Sequence, residues 1–260
     1  MKRRSSKGIN IYKYLFYSLI VVNLCVLGYV IYKNPKIRDY FSKKIQEVIG
    51  FKDAPEGNFL YGIDVSEYQG VINWNQLEDL NNGEKTSFVI IRSTAGKNHR
   101  DRYFTSNWRE AKKKGIIRGA YHYYRPNENG KHQAEFFIKN VKLSPGDLPP
   151  IIDIEKLSDI QSVNSLIEGV SDWINKVEEH YGVQPIIYSG AYFYKKHLIG
   201  KFSKNILWVA NYNKIKNPLV EFPWTFWQYT DKGNITGIKG PVDMNVFKGD
   251  EVNLIKLLLK

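Results

Sequence analysis

The stretch 149-PPIIDIEK-156 decides how the fold is read. Its apolar run, rich in β-branched residues, reads as a strand over 149–155. Strand alternation puts Asp153 and Glu155 on one face with Ile151, and turns Ile152 and Ile154 to the other. A strand buried on both faces is apolar throughout, so acids at its last positions belong at the C-terminal mouth of a barrel, where such folds place their sites. Taken alone, a D-x-E on a strand is more often a buried ion pair or a cap for the next helix.

Outward from this strand, short β-branched and aromatic runs alternate with longer helix-like stretches, the pattern of a parallel α/β sheet. Further strands are expected at 59–66, 87–94, 116–124, 184–189, 205–210, 225–230 and 241–247, which makes eight in all. Helices are expected near 73–82, 103–115, 130–140, 161–182, 190–198 and 251–259. Between the later strands stand Pro218, Pro223, Gly233, Gly237 and Gly240, which argue for loops. The expectation is an α/β chain folded as a TIM-like β/α barrel with eight strands and reduced helices in its last third.

Two more acids sit on these strands, Asp64 at the end of FLYGID and Asp243 near the start of VDMNVF. If the strands are parallel and close, Asp64, Asp153 and Glu155 converge on one mouth. Carboxylates so crowded cannot all ionise, and at least one pKa must rise. A protonated acid beside an ionised neighbour is what glycoside hydrolysis requires. Aromatic residues near the same strand ends offer faces for sugar rings: Tyr123, Tyr188, Trp208, Tyr212 and Trp227, with Tyr121, Tyr124 and Tyr229 close by.

Other chemistries find little support. The five histidines show no metal-ligand spacing, no glycine-rich phosphate loop follows a strand, and no G-x-S-x-G elbow occurs. His122 reads as a strand histidine, and no metal or cofactor is expected. The single cysteine, Cys25, precedes the domain and leaves it without a thiol nucleophile or a disulfide.

Residues 14–32, YLFYSLIVVNLCVLGYVIY, carry no formal charge and are long enough to span a bilayer. Lys2, Arg3, Arg4, Lys7 and Lys13 precede them without an acid, which keeps the N-terminus cytoplasmic by the positive-inside rule. The apolar run exceeds a usual signal-peptide core and no small-x-small site follows it. Leu24 stands where a lipidated Cys25 would need a small residue. The reading is a basic tail over 1–13, a membrane anchor over 14–32, a juxtamembrane stalk over 33–57 and one domain over 58–260, placed outside the cytoplasm. Of the net charge of +12, residues 1–50 hold +8 and the rest only +4, so nucleic acid is not an expected partner. A monomer is expected.

The motifs resemble family 25 of the glycoside hydrolases, the lysozymes of fungi, phage and bacteria. YGIDVSEYQGVINW, FVIIRSTAG, RDRYFTSNWREAKKKGIIRGAYHYY and PPIIDIE are similar to its first strands in order, and QPIIYSG, LWVANY, FWQYT and VDMNVF to its later ones. The resemblance covers about residues 59–250. It implies cleavage of the β-1,4 bond between N-acetylmuramic acid and N-acetylglucosamine, with Glu155 as general acid and Asp64, Asp153 and Asp243 lining the cleft. Asp153 then either orients the substrate's acetamido group or activates water. Where the family commonly carries T-E-G, this chain has Thr94-Ala95-Gly96, with residue 95 expected on a loop near the cleft. A non-catalytic glycan-binding or envelope scaffold on the same barrel is the alternative.

Overall fold

A computed structural model describes residues 16–21, 23, 29, 32–34, 37, 54–77, 85–213, 217–219 and 222–260. The chain divides into two compact units, Met1–Phe51 and Lys52–Lys260. In the first, residues 16–21, 23, 29, 32, 33 and 37 are helical. The expected anchor over 14–32 and stalk over 33–57 lie largely outside the described residues. Among the described residues, no helix is long and apolar enough to cross a membrane.

The second unit is a closed barrel. Its strands are β1 (Phe59–Val65), β2 (Thr86–Ala95), β3 (His99–Arg100), β4 (Ile117–Tyr123), β5 (Ile151–Asp153), β6 (Ile186–Gly190), β7 (Leu207–Ala210), β8 (Phe226–Gly233) and β9 (Val242–Lys248). Eight of them form the ring in the order β1-β2-β4-β5-β6-β7-β8-β9, which closes where β9 pairs with β1. β3 was not expected; it folds back as a two-residue ribbon on the tip of β2.

Neighbours from β1 to β8 are parallel, as the alternation of elements implies. β9 corrects the parallel expectation, because it is antiparallel to both β8 and β1. The physical reason is length. Residues 234–241 are all that link β8 to β9, far fewer than a parallel crossover needs, so the chain turns back as a hairpin.

The crossover helices are α1 (Phe104–Lys113), α2 (Gly130–Asn140) and α3 (Val163–Tyr181). A three-residue turn, α4 (Ala191–Phe193), runs into a π-helical turn at Tyr194–Leu198, and α5 (Glu251–Ile255) follows β9. Among the described residues no helix lies between β7 and β9, as the prolines and glycines there imply. The helix expected at 73–82 does not form over residues 73–77, which make turns tied by the Asn73 N–H to the Gly237 carbonyl; 78–82 lie outside the described residues.

α3 shows why these helices stand where they do. Ser162 caps its start by accepting the Ser165 N–H, and Gly182 ends it in the left-handed conformation at φ 72°. Leu166, Val170, Trp173, Ile174 and Val177 recur at helical spacing and bury one stripe against the barrel wall.

The wall separates two apolar layers. Ile152, Ile154 and Trp173 belong to the layer between strands and helices, and Ile151 to the interior, as the alternation in IIDIE requires. Inside, Phe88, Phe226 and Phe247 meet at ring distances of 5.4 and 5.1 Å near the base, where Leu254 of α5 adds to the same cluster. Tyr121, Tyr188 and Trp208 fill the next layer up. This packed floor confines the polar chemistry to the opposite end.

α2 and α3 cross at Gly130 and Gly169. A Cβ on Gly130 would strike the backbone carbonyl of Gly169, which no side-chain rotation relieves. Gly130→Ala is therefore expected to cost about 3 kcal/mol and to lower the thermal midpoint by roughly 6–12 °C. A calorimetric midpoint within 2 °C of the parent, on the same scale of about 2–4 °C per kcal/mol, would contradict this.

Candidate active site

The mouth of the barrel is built by the last residues of the parallel strands and the first of β9. Asp64 is the penultimate residue of β1 and pairs in register with Asp243. Had β9 been parallel, Asp243 would stand at the base; its reversal brings the fourth acid to the others. Asp153 ends β5, and Glu155 follows two residues beyond.

Asp64 is only 4% exposed, and its Oδ2 accepts from two amides, Gln228 Nε2 and Asn245 Nδ2, each at 2.7 Å. The amides are themselves oriented. Asn245 Oδ1 accepts the Trp208 indole N–H at 2.8 Å, and Gln228 Oε1 accepts the hydroxyls of Tyr188 at 2.7 Å and Tyr212 at 2.5 Å. Burial pushes Asp64 up to about 6 against the pull of these donors and of a hydrogen bond from Asp243. Asp243 is pushed up to about 9, first by burial and then by the Asp64 carboxylate beside it. Asp243 is thus the member that keeps its proton and donates it.

Asp153 is 6% exposed, and its Oδ1 is buried without a hydrogen-bond partner. Burial, then Glu155 and Asp64, hold its pKa well above the usual carboxylate range, with Arg92 pulling the other way. Glu155 faces solvent as a residue, yet its carboxyl group stands within the mouth. Partial desolvation raises its pKa, opposed by Lys156 and by the Tyr188 hydroxyl.

Arg92, near the end of β2, supplies positive charge. Its guanidinium is clamped by Asp101 Oδ2 at 3.0 Å and Glu67 Oε1 at 2.8 Å, and it lies 4.9 Å from the ring centroid of Tyr68. Tyr68 is 83% exposed at the lip. Two cavities meet in this mouth. One, of about 290 Å3, holds Asp64, Asp153, Asp243, Arg92, Tyr68 and Tyr123. The other, of about 550 Å3, runs past Gly190, Tyr192 and Asn211. Glu155, Tyr188 and Tyr212 line both.

All four acids selected from the sequence are therefore brought together, and Tyr123, Tyr188, Trp208 and Tyr212 join them on the cavity wall. Trp227 does not. It neighbours Gln228 on β8 and faces the outer layer, 2% exposed, with its N–H given to the Asn211 carbonyl. Tyr124 and Tyr229 lie in that outer layer too. Ala95 is not on a loop as expected but ends β2, paired with Tyr123 and His99 and buried. The Glu128 carboxylate accepts the Lys97 N–H at 2.6 Å just beyond it.

The sequence reading missed Arg92, Gln228, Asn245 and Tyr68. The first three share a signal that was available: each is polar, inside an apolar strand, and an even number of residues from an interior position such as Ile90, Phe226 or Asp243. His122 is fully buried between Thr94 Oγ1 at 2.7 Å and Gln133 Oε1 at 3.2 Å, and burial lowers it to about 3. It is a neutral packing residue. Among the described residues no group of three or more His, Cys, Asp or Glu could hold a metal ion.

A closed β/α barrel whose mouth gathers four acids, all with raised pKa, under a cleft walled by tyrosines defines a glycosidase of the paired-carboxylate class. The chain belongs to the glycosyl hydrolases family 25, whose sequence pattern matches residues 63–238, and it is a glycoside hydrolase of the lysozyme kind. It is similar to the protein YegX of Escherichia coli O6:H1, 36% identical over 88% of this chain and 90% of that one. It is also similar to Lysozyme M1 of Streptomyces globisporus, 36% identical over 75% of this chain and 70% of that one. The crystal structure of the lysozyme from Streptomyces coelicolor superposes with a TM-score of 0.70 at 32% identity, covering 78% and 98% of the two chains.

Proposed function

We propose that this enzyme is a muramidase that cuts the β-1,4 bond between N-acetylmuramic acid and N-acetylglucosamine in peptidoglycan, with Glu155 as the general acid. The observation that carries the reading is the place of Glu155, on the wall common to two cavities of about 290 and 550 Å3. A glycan strand running from one to the other brings one glycosidic oxygen past this carboxyl. Its raised pKa keeps a proton available to the leaving oxygen.

Asp153 assists from the buried side. Its partnerless Oδ1 is an acceptor waiting for a donor, and the N–H of a substrate acetamido group meets that need. So held, the acetamido oxygen is the group that attacks the anomeric carbon as Glu155 protonates the leaving sugar. Asp64, the lower in pKa of the Asp64–Asp243 pair, supplies negative charge opposite the positive charge that develops on the ring. Tyr123, Tyr188, Tyr212 and Trp208 form the walls against which the sugars lie. The uncharged run at 14–32, with Lys2, Arg3, Arg4, Lys7 and Lys13 before it, supports an uncleaved single-pass anchor with a cytoplasmic N-terminus, a stalk over 33–57 and a barrel held outside the cytoplasmic membrane, facing the wall.

Mass spectrometry of purified peptidoglycan digested by the full-length chain tests the bond. Products ending in reducing N-acetylmuramic acid support the reading. Reducing N-acetylglucosamine overturns the choice of bond, and intact glycan that is bound without being cut supports a scaffold instead.

A further inference from the structure

One residue of the mouth joins the acids to the tyrosines beside Glu155, and it belongs to neither set. Gln228 on β8 gives its Nε2 to Asp64 Oδ2, while its Oε1 receives two hydroxyls, from Tyr188 on β6 and from Tyr212 after β7. The Asp64 carboxylate sets the direction of the amide, because the reversed amide would turn its oxygen onto that carboxylate, whereas Oε1 is free to accept from the two hydroxyls. Asn245 repeats the device on the same Asp64 oxygen, oriented by the Trp208 N–H. Asp64 Oδ2 thus meets amide donors on two sides, and the proton in its contact with Asp243 comes from the other carboxyl.

We propose that Gln228 is a positioning residue that holds Asp64 as a pure acceptor and so keeps the proton of the Asp64–Asp243 pair on Asp243. This rests on the barrel mouth being the site of cleavage. The arrangement leaves one fixed negative charge in the cleft before substrate enters, and ties it through Tyr212, 43% exposed at the lip, to the surface a sugar would touch.

Other groups face the pair from the rest of the ring. Asp153 on β5 and the following Glu155 bring like charge, and Asp231 on β8 does so for Asp243. Arg92 on β2 lines the same cavity with opposite charge, and the hydroxyl of Tyr121 on β4 is held neutral by burial and by Asp64. None of them donates to Asp64 Oδ2, so the amides set Asp64 apart as the acceptor, and the charge of Asp231 adds to the rise of Asp243.

Carboxyl carbon-13 NMR on the full-length chain with labelled aspartate reads the pair directly. In Gln228→Met, of similar length and without donors, the Asp64 midpoint is expected to rise by about one unit, with the acid limb of the kcat/KM profile moving up with it. Gln228→Glu donates only while it is protonated, so its activity is expected to fall as the pH rises past the midpoint of the new carboxyl, a limb that the parent lacks. Tyr212→Phe, at an exposed position that folding tolerates, loosens the amide and should move the same midpoint upward by a smaller step. An Asp64 midpoint unchanged in these variants, or a uniform loss of rate with unmoved limbs, overturns the proposal. A wild-type chain that releases no muramic-acid ends overturns the functional reading instead, and the NMR titration still decides this one.

Discussion

Replacing Glu155 with glutamine is expected to lower the release of muramic-acid reducing ends by about a hundred- to ten-thousand-fold, the range carried by a positioned general acid. Glutamine keeps the shape of the side chain and its reach into both cavities, but has no proton to give to the leaving oxygen. Because Glu155 faces solvent at the rim and makes none of the buried hydrogen bonds that hold Asp64, stability should change by no more than about 0.5 kcal/mol. Peptidoglycan binding should persist. Reducing-end release measured beside a thermal melt separates the two effects. Undiminished release in a folded Glu155→Gln chain removes Glu155 from the mechanism, and a collapsed melt assigns it a structural role.

The pH course should agree in sign. The raised pKa of Glu155 extends its protonated fraction toward neutrality, so activity is lost as the pH climbs past that pKa. On the acid side the limit is set by the group that must be ionised. Of the Asp64–Asp243 pair, Asp64 loses its proton at the lower pH, at about 6 against about 9.

Which parts of this arrangement could be read from the sequence follows from how local their causes are. The strands of the ring and the three long helices announce themselves by period, since each must bury one face or stripe; α3 at Val163–Tyr181 lies within the stretch expected at 161–182. The reversal of β9 was legible in principle from its short link to β8, but runs of apolar residues carry no sign of direction. Trp227 lies outside the cavity by parity, which an aromatic residue near a strand end does not reveal by itself: Gln228 and Trp227 cannot face the same way. Gln228 and Asn245 were passed over because neutral amides do not stand out as acids do. Their function depends on partners 164 and 181 residues away. Nothing local to FWQYT states that its glutamine will meet Asp64. The tip of β2 is similar: Ala95 looks like a loop residue until the ribbon at His99–Arg100 folds back on it.

Asp153→Asn is expected to make the protein more stable and nearly inactive at once. The carboxyl of Asp153 is buried, has one oxygen without a partner, and shares its surroundings with Glu155 and Asp64. Each of these conditions disfavours the ionised form in the folded chain, so its pKa lies well above the usual carboxylate range. A carboxyl whose folded pKa exceeds its unfolded one, near 3.9, binds its proton more tightly in the native state. Stability is then greatest below the unfolded value and falls as the pH rises toward the folded one. Asparagine has no ionised form to disfavour, and its amide can donate to the neighbouring acids. At pH 7 the gain is expected to be about 1–3 kcal/mol, seen as a rise in midpoint of roughly 2–4 °C for each kcal/mol. At about pH 2.5, well below the unfolded value of about 3.9, where the aspartate is largely protonated in both states, the gain should shrink toward zero. A gain equal at both pH values would mean that packing, and not the charge, is responsible. Glycan cleavage should fall by about a hundredfold or more in the same variant, because an amide that presents its NH2 to the acetamido group repels the donor that Oδ1 is placed to accept. The destabilising carboxyl is the cost of a site held ready for substrate.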